Sequence, residues 1–174
     1  MHLIVRVLYT HKPIQTLDRM QEMTTLRETI HTNLPLDEAF AFVADFSNAA
    51  RWDPGVASSE RIDVEAGAGP VGTGSRFRLG VRMGGRVTPM DYEITTWDSP
   101  RRVVLQGAGS GVSAVDDIRF QATPSGTRID YVADIRLRGL LRLLSPFAGG
   151  AFATIGRNAR QGMQRTLDQL AAAR

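Results

Sequence analysis

Apolar and polar positions alternate along the middle of this chain with a period of two, and the pattern changes near both ends. From Ser75 to Met83 the order SRFRLGVRM places Phe77, Leu79, Val81 and Met83 on one face and mostly arginine or glycine on the other, the mark of a half-buried strand. Arg86–Trp97 continues with Met90, Tyr92 and Ile94 in phase. Arg101–Ala108 and Val112–Thr123 follow, and Arg128–Leu137 closes the run with Ile129, Tyr131, Ala133 and Ile135 on one face. Gly67–Gly74, Gly84-Gly85, Asp98-Ser99-Pro100, Gly109-Ser110-Gly111 and Pro124-Ser125-Gly126 supply turn chemistry between strands. Val56–Glu65 alternates as well. Upstream, Thr24–Asn33 is rich in β-branched residues and predicts a strand that Pro35 breaks.

Two stretches read as short helices and one as a long helix. Leu36–Asp45 carries Leu36, Ala39, Phe40 and Val43 at helical spacing, with Asp37 and Glu38 in the first turn, where the helix dipole favours acid. Ser47–Arg51 predicts a second short helix, ended by Asp53-Pro54-Gly55. Gly139–Phe147 is strongly apolar and interrupted by Pro146. Ala148–Ala173 then predicts a long helix with Phe152, Ile155, Ala159, Met163, Thr166 and Leu170 along one stripe. Residues 1–23 show no clean period. They read as an N-terminal appendage, or as the product of a misplaced start codon, with the domain proper at 24–174.

The element order predicts an α+β fold in which a curved antiparallel sheet of about seven strands wraps around a long C-terminal helix, with two short helices after the first strand. The helix is the only element large enough to cover the apolar face. A strongly twisted sheet need not touch it everywhere, so a cavity of several hundred Å3 is expected between them. Phe77, Leu79, Met90, Tyr92, Ile94, Leu105, Ile118, Tyr131, Ala133, Phe152, Ile155 and Met163 lie on the inward faces and are the expected cavity lining.

Leu34-Pro35-Leu36-Asp37-Glu38-Ala39-Phe40, Val43-Ala44-Asp45-Phe46-Ser47-Asn48 and Arg51-Trp52-Asp53-Pro54-Gly55-Val56 together resemble the opening of the polyketide cyclase/dehydrase and START-like lipid-transfer superfamily (SRPBCC, helix-grip fold). Gly72-Thr73-Gly74-Ser75-Arg76-Phe77 and Gly126-Thr127-Arg128-Ile129-Asp130-Tyr131 are also similar to that family. The resemblance covers residues 24–173 and implies a helix-grip fold. It is weak for activity, because members include binders, cyclases, hydroxylase subunits and chaperone co-activators.

Composition narrows the chemistry. The chain has no cysteine, which excludes disulfides, thiolate catalysis and cysteine-ligated metals and is compatible with a cytoplasmic location. The net charge is +3, carried almost entirely by arginine, with Lys12 the only lysine. The arginines are scattered in alternation with apolar residues, as on a solvated sheet face, so no nucleic-acid partner is expected. No stretch is long enough to cross a bilayer; transient membrane contact and homodimerisation are left open. His2, His11 and His31 lack metal-ligand spacing, no phosphate loop precedes a helix, and no metal or cofactor is expected.

Asp116 and Asp117 are adjacent in a strand and so point to opposite faces. Parity with Ile118 and Phe120 turns Asp116 inward, where a carboxyl could serve as acid or base. The alternative is a rim carboxylate paired with an arginine. Tyr92 and Tyr131 are the other weak catalytic candidates. Glu28 is a second candidate cavity carboxylate, and Trp52 is read as a packing anchor beside the mouth. These residues support binding of a small hydrophobic molecule first. A polyketide cyclase/dehydratase-type enzyme comes second, and a second titratable group in the cavity would favour it. A protein-interaction module using Leu140–Phe147 comes third.

Overall fold

A computed structural model describes residues 23–63, 69–139 and 145–174, the side chains of 145–149, 151 and 152 excepted. Seven antiparallel strands form one sheet: β1 (Met23–Thr32), β2 (Val56–Arg61), β3 (Arg76–Met83), β4 (Arg86–Asp98), β5 (Arg102–Gly109), β6 (Val112–Thr123) and β7 (Gly126–Leu137). Helices α1 (Leu36–Ala44) and α2 (Ala49–Trp52), linked by a 3-10 turn at Phe46–Asn48, follow β1. Helix α3 (Ser145–Ala172) ends the chain. This is the α+β helix-grip arrangement. The strand order is β1-β7-β6-β5-β4-β3-β2: hairpins join β2 through β7, and β1 returns from the other end of the sequence to pair with β7, Ile30 opposite Ile129.

Local chemistry sets the helix ends. Pro35 precedes α1 at φ −56°, and its carbonyl accepts from Ala39 N at 2.9 Å, so the residue that stops β1 also starts the helix. Asp45 stops α1 in an extended conformation, and its carboxylate accepts from Ser47 N and Ser47 Oγ at 3.0 and 2.6 Å. The second helix of the sequence reading is thus two tight pieces rather than one. Helix α3 crosses α2 closely because Gly162 has no side chain: a Cβ there would collide with the Trp52 carbonyl and the Pro54 ring. Thr166 Oγ1 donates to Arg51 O at 3.0 Å beside that contact.

The concave face is covered in two halves. Around α1 and the 3-10 turn it is filled. Phe40 meets Trp97 and Phe120 edge-on at 4.8 and 5.1 Å, and Phe46 packs near Phe77 and Tyr92 at 6.3 and 5.4 Å. Helix α3 covers the half nearer β1, inserting Met163 and Leu167. The stripe of α3 therefore buries Leu167 rather than Thr166, whose hydroxyl is committed to α2. On the convex face, arginines pair with aspartates: Arg78 with Asp91 at 2.8 Å, and Arg102 and Arg119 with Asp117 at 2.9 and 3.1 Å. Among the described residues no helix is long and apolar enough to cross a membrane.

Candidate functional site

A cavity of about 180 Å3 lies between the concave face and α3. Its apolar wall includes Leu26 and Ile30 from β1, Leu79 and Met90 from β3 and β4, Val112, Ala114 and Ala133 from β6 and β7, and Ile155 and Met163 from α3. The volume is smaller than the several hundred Å3 expected, because Phe46 and Trp52 project into the space between sheet and helix and form part of the wall.

Polar groups gather in one part of this wall. Register sets Asp116 between Ala133 of β7 and Leu105 of β5, with Tyr131 two pairs further along opposite Ile118. Tyr131 Oη donates to Asp116 Oδ1 at 3.0 Å, while Asp116 Oδ2 and Trp52 Nε1 are buried without a partner. Burial pushes the Asp116 carboxyl up to about 7. The Asp53 and Asp134 charges push the same way, and only the Tyr131 hydrogen bond opposes them. Burial also raises the Tyr92 and Tyr131 phenols well above their usual range, reinforced by the Asp116 charge. Asp53 lines the same cavity; burial raises its carboxyl, partly offset by the Gly55 N–H it accepts at 2.7 Å. Glu28 is on the wall too, 3.4 Å from Arg160 Nε. The wall thus carries two carboxyls with no ion-pair partner among the described residues, two phenols and an indole. Among the described residues no acidic or histidine cluster could hold a metal.

The family model for polyketide cyclase/dehydrase and lipid transport matches residues 23–173. The chain belongs to this family. No curated protein matches it in sequence. Among solved structures, the ZhuI aromatase/cyclase of Streptomyces sp. R1128 superposes with TM-score 0.67 at 14% identity, over 87% of this chain and 95% of that one. A START superfamily protein of Mycobacterium smegmatis does so with TM-score 0.64 at 13% identity, over 85% and 98%. The Thermus thermophilus protein TTHA0849 gives 0.65 at 17%, over 87% and 99%. At these identities the likeness is one of fold.

Within this cyclase/dehydrase-family domain, Leu79, Met90, Tyr92, Tyr131, Ala133, Ile155 and Met163 are brought together on the cavity wall with Asp116. Phe77, Ile94, Leu105 and Ile118 are not: they face the same side of the sheet but are fully buried in solid core, in the half that α1 and the 3-10 turn fill. Period-two reading assigns a face, and cannot say which part of that face a neighbouring helix occupies. The Phe152 side chain and the Leu140–Phe147 segment, apart from the backbone from Ser145 on, lie outside the described residues, as does the appendage up to residue 22. The rim alternative for Asp116 is replaced: the arginine-paired carboxylate is its neighbour Asp117. Sequence reasoning missed Asp53. Its turn role explained it fully, although its place directly after Trp52 in the Trp-Asp-Pro motif was the available signal.

Proposed function

We propose that this chain binds a small, mainly apolar molecule in the chamber between its sheet and α3, with the molecule's polar group set against Asp116 and Tyr131. The observation that carries this reading is the apolar cavity of about 180 Å3 with a polar pole. That volume is comparable with the roughly 150 Å3 apolar cavity that takes benzene. A lipid or polyketide larger than about one ring would have to extend past the mouth, where Ile155 is 42% exposed. The reading fits a cytoplasmic carrier or sequestering module. Calorimetric titration with toluene tests it: saturable heat is expected with the full chain. Ala159→Phe, which fills the chamber from α3, should abolish that heat while the fold is kept. Absence of saturable heat in the unaltered chain contradicts the proposal.

One observation favours a second reading, acid–base catalysis of the cyclase/dehydratase kind. Asp53 is a second titratable carboxyl on the cavity wall beside Asp116. An acid whose proton is held to about 7 is matched to proton transfer near neutrality. Under this reading Asp116→Asn lowers turnover of a poly-β-keto substrate by about 10²–10⁴-fold, while toluene binding survives. Under the binding reading alone the substitution leaves no activity to lose.

A further inference from the structure

Among the described residues, Trp52 Nε1 and Asp116 Oδ2 are the two buried side-chain polar atoms without a hydrogen-bond partner. Both side chains belong to the wall of the same cavity, and they are 3% and 4% exposed. Tyr131 touches both side chains. The Trp52 ring meets the Tyr131 ring edge-on at 6.2 Å, and the Tyr131 hydroxyl holds the other oxygen of Asp116 at 3.0 Å. The indole N–H can only donate, and Asp116 Oδ2, once its carboxyl is ionised above about pH 7, accepts. Buried polar groups are paired as a rule, so an unpaired donor and an unpaired acceptor on two residues of one cavity wall point to what a ligand would bring.

Three polar groups can be compared at that pole. A carboxylate would accept from Trp52 but meet the negative charge of Asp116, with the Asp53 and Asp134 charges adding to it. Of the two arginines on the wall, Arg160 is engaged with Glu28 and Arg82, on β3, is exposed. An ammonium would pair with Asp116 but leave the indole N–H unsatisfied. A hydroxyl alone does both, since its proton donates while its oxygen accepts. Water carries the same two functions, so a ligand hydroxyl can replace it without losing a hydrogen bond. The chamber of about 180 Å3 limits the apolar part to roughly one ring.

We infer that the cavity takes a one-ring, mainly apolar molecule bearing a hydroxyl, which donates to Asp116 and accepts from Trp52. This rests on the binding reading above and names its ligand class as a phenol or similar cyclic alcohol. A carboxylate or an ammonium serves only one of the two atoms.

Four one-ring probes separate the cases: p-cresol, toluene, benzoate and benzylamine, titrated calorimetrically into the full chain at about pH 8, where the phenol is neutral. A phenol is more strongly hydrated than toluene, so it wins only if the site returns its hydrogen bonds. The expected result is p-cresol bound at least about tenfold more tightly than toluene, with the acid and the amine weaker than p-cresol. Trp52→Phe keeps a ring and removes the N–H, and should bring p-cresol to within about threefold of toluene. Should that variant fail to fold, the probe series on the unaltered chain still decides. If toluene binds as well as p-cresol, or if the acid or the amine binds tightest, the hydroxyl assignment is wrong and the binding reading stands. If none of the four binds, both are wrong. A Trp52→Phe chain that keeps the full preference for p-cresol also overturns the assignment.

Discussion

Asp116 is an acid buried without a cation, and this links its proton to the stability of the fold. In the unfolded chain an aspartate loses its proton near pH 4, whereas in the folded chain Asp116 keeps it up to about 7. Between those values the folded state binds more protons than the unfolded one. Stability is therefore highest below about pH 4 as far as this group is concerned, and falls as pH rises to about 7. The difference of about three units corresponds to an effect on the order of 4 kcal/mol. Asp53 is raised as well and adds in the same direction. Asp91 and Asp117, held low by arginines, lose their stabilising charge only at more acid pH and leave this window clear. The melting temperature of the unaltered chain is expected to decline from pH 5 to pH 8. Asp116→Asn, which keeps an acceptor for Tyr131 and removes the charge, should flatten most of that decline. A variant that declines as steeply as the parent would show that the linkage resides elsewhere.

At the scale of elements, the fit of α3 against the rest is the decisive contact, and two glycines in it should behave oppositely. Gly162 faces the Trp52 carbonyl and the Pro54 ring with no room for a Cβ. Gly162→Ala must push α3 from α2, at a cost of about 1–3 kcal/mol for an overpacked contact. Thermal denaturation should show a fall of roughly 5 °C or more. At Gly156 a Cβ would lie 3.3 Å from Glu28 Oε1, the end of a side chain that can move. Gly156→Ala should gain helix propensity and leave the melting temperature equal or higher. Strands β3 to β7 were legible as sequence, because alternation from Arg76 to Leu137 is nearly unbroken and each turn carries glycine or proline. The pairing of β1 with β7 was not legible: no local pattern records that the two ends of the chain meet. Asp116 could be turned inward by parity alone. The solid packing of Phe77, Ile94, Leu105 and Ile118 could not be foreseen, since it depends on where Phe40 and Phe46 arrive from α1 and the turn after it.

For the whole molecule, the buried apolar cluster among the described residues runs from Ile30 to Leu167, and the regular apolar pattern begins only at Thr24. Removal of residues 1–22 is therefore expected to leave the melting temperature within about 5 °C of the full chain. A larger fall in the thermal scan would show that HLIVRVLY packs against the domain or between copies. The central claim is that the space between sheet and helix receives a small apolar molecule, and the methionines report on it directly. Met83, Met90 and Met163 line the cavity, whereas Met23 is 45% exposed on another face. With methyl-labelled methionine in the full chain, NMR titration with toluene should produce saturable shifts at Met83, Met90 and Met163 and none at Met23. Unmoved signals at the three cavity methionines, or an equal shift at Met23, would contradict the account.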